Sequence, residues 1–273
     1  MTVHKNPVQR QPVPAILAAI MALVGAKPGR RPLVLGLCGA QGSGKSTLAA
    51  GLVEAARARG LAAATLSLDD LYLTRAERAV LAREVHPLLA TRGVPGTHDV
   101  ALGLGLLARI DAGEAVHLPR FDKATDDRAP EASWTALPGP LDLLVFEGWC
   151  VGAVAEKEAA LADPVNALER HEDADARWRT WVNAQLAGDY QHLFARIDAL
   201  VLLAAPAFEV VFEWRLEQER TGAGVMDAAQ IAHFIQHYER LTRYILAEMP
   251  DRADLVIHLD RDRRPVGVVS RSS

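Results

Sequence analysis

Gly39-Ala40-Gln41-Gly42-Ser43-Gly44-Lys45-Ser46 has the spacing G-x-x-x-x-G-K-S. The apolar run Leu33-Val34-Leu35-Gly36-Leu37-Cys38 precedes it, and Thr47 to Ala56 after it reads as a helix. Strand, glycine-rich loop and helix in that order are what a phosphate-binding loop requires. Glycines let backbone N–H groups turn toward an anion, and the first turn of the helix adds free N–H groups and its positive dipole end. The expected nucleotide contacts are Gly39, Gln41, Gly42, Ser43, Gly44, Lys45, Ser46 and Thr47. Lys45 reaches the β- and γ-phosphates, and the Ser46 hydroxyl suits Mg²⁺. A plain Gly/Ser turn before a helix is the alternative. The Lys-Ser pair and both flanks speak for ATP or GTP.

The chain has 273 residues, 50% hydrophobic and 23% charged. That length suits one α/β domain over residues 1–273 with a helical insertion. A net charge of −4 offers no global basic field for nucleic acid or an anionic membrane. The two cysteines, Cys38 and Cys150, read as buried thiols of a reducing compartment rather than a disulfide. Residues 14–26 are apolar and end in small residues, like a short secretory signal. They are too few to span a membrane. They also form an amphipathic pattern, with Ile16, Ile20, Leu23 and Val24 on one face. The helix reading is preferred and the location expected is the cytoplasm, because a nucleotide loop needs cytosolic ATP and Mg²⁺.

Residues 62–68 read as a second buried strand, ending at Asp69-Asp70-Leu71-Tyr72. Ligands of open α/β sheets sit beyond the carboxyl ends of strands. One of the two aspartates is therefore placed to accept a proton from an attacking hydroxyl, and the other to cap a helix. Residues 74–89 read as a helix. Arg92-Gly93-Val94-Pro95-Gly96-Thr97-His98-Asp99 is a turn-rich loop with several polar chemistries, suited to gripping a small anion. Thr97 is expected to cap the helix from Asp99 to Ile110. A short extended piece at 115–119 leads to Arg120-Phe121-Asp122-Lys123, and 124–140 reads as loop. Leu141 to Phe146 is a buried strand ending in Glu147, the position of a Walker-B acid that holds Mg²⁺ directly or through water.

Residues 151–196 form a charged helical insertion with Trp178, Trp181, Tyr190 and Phe194 as packing anchors. A strand at 197–203 follows. The charged helix from Phe208 to Arg220 and the break Thr221-Gly222-Ala223-Gly224 suggest a lid over 206–224. Arg215 or Arg220 can then stabilise the transferring phosphoryl. A solvated helix with paired charges is the plainer alternative. A long helix at 227–249 and a strand at 255–259 precede a polar tail, and Arg261-Asp262-Arg263-Arg264 reads as a solvated turn. Alternating strands and helices predict a doubly wound, mostly parallel sheet flanked by helices, the fold of P-loop NTPases.

The order of phosphate loop, Leu66-Ser67-Leu68-Asp69-Asp70-Leu71-Tyr72 and a strand ending in Glu147-Gly148 resembles the uridine kinase, phosphoribulokinase and pantothenate kinase group. Arg92 to Asp99, Leu118-Pro119-Arg120-Phe121-Asp122-Lys123, Phe146-Glu147-Gly148-Trp149 and Trp214-Arg215-Leu216-Glu217-Gln218-Glu219 resemble the D-glycerate 3-kinases of plant and fungal type. The likeness keeps its order from about residue 33 to 260. It implies ATP- and Mg²⁺-dependent phosphorylation of D-glycerate to 3-phosphoglycerate. Asp69 takes the position of the base, with Asp70 as the alternative, Lys45 and Arg215 act on the phosphoryl, and Ser46 and Glu147 hold the metal. Asp70, Tyr72, Arg92, Thr97, His98, Arg120, Asp122 and Lys123 become the acceptor site, whose cations suit a carboxylate. Ala124 stands where the pattern has serine, and Gly152-Ala153 where it has Gly-Phe. Competing readings keep the fold and change the acceptor to another hydroxy acid, pantothenate or a nucleoside, or make the chain an NTP-hydrolysing switch. Aromatic residues are only 5% of the chain, which disfavours a nucleoside.

Overall fold

A computed structural model describes residues 13–27, 32–221 and 226–271. The polar start, most of the turn before the first strand and the glycine break after Thr221 lie outside the described residues. Leu33–Gly39 is buried along its whole length as β1. Such a run suits a parallel strand covered on both faces. Ahead of it is helix α1 (Val13–Ala26), which buries Ile16, Ile20, Met21 and Val24. Leu23, expected on that face, is only partly buried, and Met21 takes the inward place. Helix α2 (Lys45–Arg57) follows the glycine-rich loop and ends in a turn at Gly60, where φ is +78°.

Strand β2 (Ala63–Ser67) leads directly into a 3₁₀ turn, Leu68–Leu71, that carries both aspartates. Helix α3 (Arg75–Glu84) starts with a capping box between Thr74 and Glu77. It is shorter than the sequence suggests. His86, before Pro87, is extended, and the chain resumes as a 3₁₀ turn at Pro87–Ala90, because a residue preceding proline avoids the helical region. Helix α4 (Val100–Asp111) is capped by Asp99, whose side chain accepts from Leu102 N–H. The cap expected of Thr97 is therefore corrected. Its hydroxyl instead closes the loop before the helix, donating to Val94 O and accepting from Gly93 N–H.

Strands β3 (Val116–Leu118), β4 (Phe121–Asp122), β5 (Asp127–Arg128) and β6 (Thr135–Leu137) are short. β3 pairs with β6 and β4 with β5, both antiparallel, so the expected loop at 124–140 is built of two small hairpin arms. Two- and three-residue strands leave too few alternations to read. Strand β7 (Leu143–Gly148) is wholly buried. The helical insertion expected over 151–196 is helical only in its second part, as α5 (Ala167–Glu172), α6 (Arg177–Ala187) and α7 (Asp189–Phe194); 151–166 is irregular apart from a 3₁₀ turn at Glu158–Leu161. Trp178, Tyr190 and Phe194 are buried there, and Trp181 packs half-buried on Leu88 and its neighbours. Strand β8 (Ala199–Ala204), helices α8 (Glu209–Thr221) and α9 (Ala228–Glu248), and strands β9 (Leu255–Leu259) and β10 (Pro265–Ser270) complete the chain. β10 lies in the stretch expected to be a polar tail. It adds an antiparallel edge to β9.

The main sheet has the order β10-β9-β8-β1-β7-β2, parallel except for β10. Alternate residues of β1 serve opposite layers. Leu35 and Leu37 pack with α1 and α2, while Val34 and Cys38 face the layer that holds α4, α7 and α9. β1 sits between β7 and β8, with the chain winding to both sides of it, so the crevice beyond its carboxyl end is a topological switch point.

Candidate active site

The phosphate loop leaves β1 at that switch point. Gly42 and Gly44 have φ of +74° and +90°, and Gly44 caps α2, so the first-turn N–H groups of Lys45, Ser46 and Thr47 open toward the crevice. A Cβ on Gly42 would come within 2.7 Å of Trp214 Cβ, because α8 packs directly over the loop. Ser43 is buried and its hydroxyl has no hydrogen-bond partner. Gly39 ends β1 beneath it, where an added Cβ would crowd that hydroxyl at 2.8 Å.

β2, β1 and β7 bring their ends together in register. Glu147 pairs with Leu37 on one side and Ser67 on the other. Its carboxylate Oε1 accepts from Ser46 Oγ at 2.9 Å and Ser67 Oγ at 3.1 Å. Glu147 is buried, and these hydroxyls are what satisfy it. The donor set of one carboxylate and hydroxyl oxygens is the hard-oxygen chemistry that Mg²⁺ takes.

The adjacent aspartates point apart. Asp69 Oδ2 accepts from Lys123 Nζ at 2.6 Å and Oδ1 from Tyr72 Oη at 2.9 Å. Asp70 accepts instead from Phe121 N–H at 3.0 Å and Arg120 Nη1 at 3.2 Å, anchoring β4 to the 3₁₀ turn. Asp69, Lys45, Ser46, Glu147, Tyr72, Arg92, Lys123 and Arg215 line one pocket, with Gln41 and Gly42 at its loop side.

The other expected acceptor residues lie elsewhere. His98 is buried one layer back, its ring stacked on Tyr72 at 4.6 Å and its Nδ1 2.6 Å from Tyr190 Oη. Thr97 is fully buried. Arg120 and Asp122 do not line the pocket. Arg120 bonds Thr135 and Asp70, and Asp122 closes the hairpin turn on Ala124 N–H.

Comparison with known proteins places this architecture. No protein-family model matches the chain. A Schizosaccharomyces pombe protein described as an uncharacterized kinase is 36% identical over 265 residues, 88% of this chain and 92% of that protein. The chloroplastic D-glycerate 3-kinase of Arabidopsis thaliana is 31% identical over 258 residues, 86% of this chain and 54% of that protein. Among solved structures, D-glycerate 3-kinase from Cryptococcus neoformans superposes with a TM-score of 0.76 at 27% identity, covering 95% of this chain and 99% of that one. The chain belongs to the family of P-loop kinases that includes the D-glycerate 3-kinases. It is an ATP-dependent phosphotransferase of α/β fold, and kinases of this family take ATP, a divalent metal and a small-molecule acceptor. No helix among the described residues is long and apolar enough to cross a membrane.

The electrostatics of this kinase site are uneven. Burial alone would raise the Asp69 carboxyl, but the charges of Lys123 and Lys45 and hydrogen bonds from Lys123 and Tyr72 outweigh it. They hold Asp69 well below the usual carboxylate range. Asp70 goes the other way, because burial exceeds the help from Phe121 N–H and Arg120. Burial brings His98 down to about 3 despite the nearby Asp69 charge, so it is a neutral ring at physiological pH. Arg92 ion-pairs with Asp126 and lies over the Phe121 ring at 5.4 Å. Asp126 also pairs with the buried Arg78 at 2.6 Å. Arg215 bonds Gln218 Oε1 at 2.9 Å and pairs with Glu219, with its guanidinium 5.7 Å from the Phe234 ring.

Sequence reasoning missed one wall of the pocket. Trp149, Phe234 and Tyr238 line it. Trp149 Nε1 donates to Gly93 O at 2.8 Å, and Tyr238 Oη donates to Arg92 O at 3.0 Å. The wall thus holds the Arg92 loop in place. Gly93 was the available signal. Its φ is +134°, and a Cβ there would stand 1.9 Å from Tyr238 Oη.

Proposed function

We propose that this kinase transfers the γ-phosphoryl of ATP to a hydroxyl of a small hydroxy acid, D-glycerate first among them, giving 3-phosphoglycerate. The observation that carries the reading is one pocket in which Asp69 stands among Lys45, Lys123 and Arg92. Phosphoryl transfer needs positioning and charge stabilisation more than a special nucleophile. The phosphate loop holds the ATP phosphates, with the free Ser43 hydroxyl as a further donor to them. Lys45 and Arg215 offset charge on the transferring group. Asp69 orients the acceptor hydroxyl and takes its proton. Ser46 and Glu147 fit Mg²⁺, which when bound neutralises phosphate charge. Lys123 and Arg92 suit the acceptor carboxylate, Arg92 as a planar fork and Lys123 as a point charge. The nucleoside end of ATP has room beside the loop, where Thr47, Trp214, Gln218 and Arg263 line a second pocket. The two free, buried thiols support a reducing, cytoplasmic setting.

The aromatic wall of Trp149, Phe234 and Tyr238 favours a nucleoside acceptor as the second reading. It is the weaker one, because the polar ends of Trp149 and Tyr238 are spent on the backbone of the Arg92 loop. ADP release measured with D-glycerate, L-glycerate, pantothenate, uridine and no acceptor separates them. Strong stimulation by D-glycerate alone is expected. Stimulation by uridine, or none across the panel, would contradict the reading.

A further inference from the structure

Asp69 meets charge or protons from every element around it. Lys45 comes from the phosphate loop, Tyr72 and Asp70 from its own turn, and Lys123 from the β4–β5 hairpin; Tyr238 on α9 and His98 behind Tyr72 also feel its charge. Of these, Lys123 differs in kind. Its side chain is 58% exposed, on a two-residue strand pair, and its ammonium sits on the Asp69 oxygen that Tyr72 leaves open. A carboxylate that accepts from an ammonium at 2.6 Å and a hydroxyl at 2.9 Å is a poor acceptor for a third proton.

Arg92, lining the same pocket, is also occupied, but by a partner that can spare it. Asp126 keeps the buried Arg78 when Arg92 turns away. Lys123 and Arg92 are therefore both held by carboxylates of the protein itself, and both can be taken over by a carboxylate of the ligand.

We propose that Lys123 is a substrate-released latch on Asp69, which makes the kinase selective for anionic acceptors. The acceptor carboxylate draws Lys123 off Oδ2 and Arg92 off Asp126. The freed Oδ2 then accepts the proton of the acceptor hydroxyl as its oxygen bonds to the γ-phosphorus. The bond from that phosphorus to the ADP oxygen breaks, ADP leaves, and Asp69 gives the proton to solvent. A neutral polyol has no charge with which to displace the ammonium, so Asp69 stays latched. The proposal rests on Asp69 as the base and deepens the acceptor assignment above.

Lys123→Met and Lys123→Arg test it, with D-glycerate and its neutral analogue glycerol as acceptors. Because the side chain is exposed, both variants are expected to melt with the wild type, and a melting curve checks this. In wild type, kcat/KM for D-glycerate should exceed that for glycerol by at least about 10³-fold, the discrimination available when a site is built for a polar group that the analogue lacks. Lys123→Met should raise KM for D-glycerate by about tenfold or more, yet raise kcat/KM for glycerol above the wild-type value, because the latch is gone. Lys123→Arg should restore most of the selectivity. Glycerol turnover at or below the wild-type value in a folded Lys123→Met protein would overturn the latch. If D-glycerate kinase activity persists in wild type at the same time, only the latch fails. If wild type releases no more ADP with D-glycerate than without acceptor, the acceptor assignment itself fails, and the latch with it.

Discussion

Ser46 Oγ donates to Glu147 Oε1 at 2.9 Å across 101 positions of sequence. The second residue of α2 and the end of β7 therefore share a hydrogen bond at the site proposed above for Mg²⁺. Replacing Glu147 by Gln removes the charge and keeps the shape. We expect kcat to fall by on the order of 10²-fold and the Mg²⁺ concentration for half-maximal rate to rise, with ATP-loop geometry intact. A Mg²⁺ titration of the variant reads both. An unchanged Mg²⁺ dependence would remove Glu147 from the metal site.

The residues alone left Arg215 and Arg220 open, the family resemblance pointed to Arg215, and the structure sets the two apart. Arg215 lines the pocket with Asp69 and Lys45, whereas Arg220 is exposed on α8 and lines no part of it. Arg215→Ala should lower kcat by about 10²-fold or more, the scale of losing one charge-stabilising donor. Arg220→Ala should stay within about twofold. Steady-state rates at saturating ATP decide it, and equal losses would contradict the assignment.

Gly93→Ala should destabilise the fold. The position has φ +134°, and the new Cβ would meet Tyr238 Oη at 1.9 Å. The strain and the displaced aromatic wall together cost about 3 kcal/mol. For a chain of this size that is a fall in Tm of about 6–12 °C. A thermal melt showing a drop below about 2 °C would mean that Tyr238 moves aside freely.

The buried histidines give a pH signature in stability. Burial lowers His98 to about 3 and His237 to about 4, from 6.5 in the unfolded chain. Because the folded values are depressed, the unfolded state binds more protons below pH 6.5. The stability these neutral rings contribute is complete above pH 6.5 and is lost as pH falls toward 4. Urea midpoints between pH 7.5 and 4.5 should decline with a slope approaching two protons. Asp69 adds the same sign only below about pH 4, its ordinary range. A flat profile from 7.5 to 5 would show that the two rings take up protons in the fold as readily as in the unfolded chain.

Much of this was legible in the chain. The runs at Leu33–Gly39 and 143–146 are apolar throughout because both faces of a parallel sheet are covered, and that locates the phosphate loop and Glu147 at strand ends. The Asp69-Asp70 pair was legible as a feature but not as a division of labour. Which aspartate faces the loop depends on a 3₁₀ turn and on Phe121 N–H, 51 positions away, claiming the other. His98 looked like a site residue because polarity in a glycine-rich loop does not say which way a ring points. Its stacking on Tyr72 does. Trp149 stood out only within the Phe146–Trp149 resemblance, and Phe234 and Tyr238 not at all, because only tertiary packing turns the three toward the pocket. The edge strand β10 was hidden by its exposure, since half-buried residues there break the alternation a strand usually shows.

Asp69→Asn removes the base proposed for this phosphate-loop kinase. The variant keeps the size, loses the proton-accepting charge and turns one of the two oxygens that accept from Lys123 and Tyr72 into an NH2 donor. The measurement is kcat with D-glycerate alongside the ATP dissociation constant. With Asp69 as the base, kcat falls by about 10²–10⁴-fold and ATP affinity stays within about threefold of wild type. A near-wild-type kcat would contradict it.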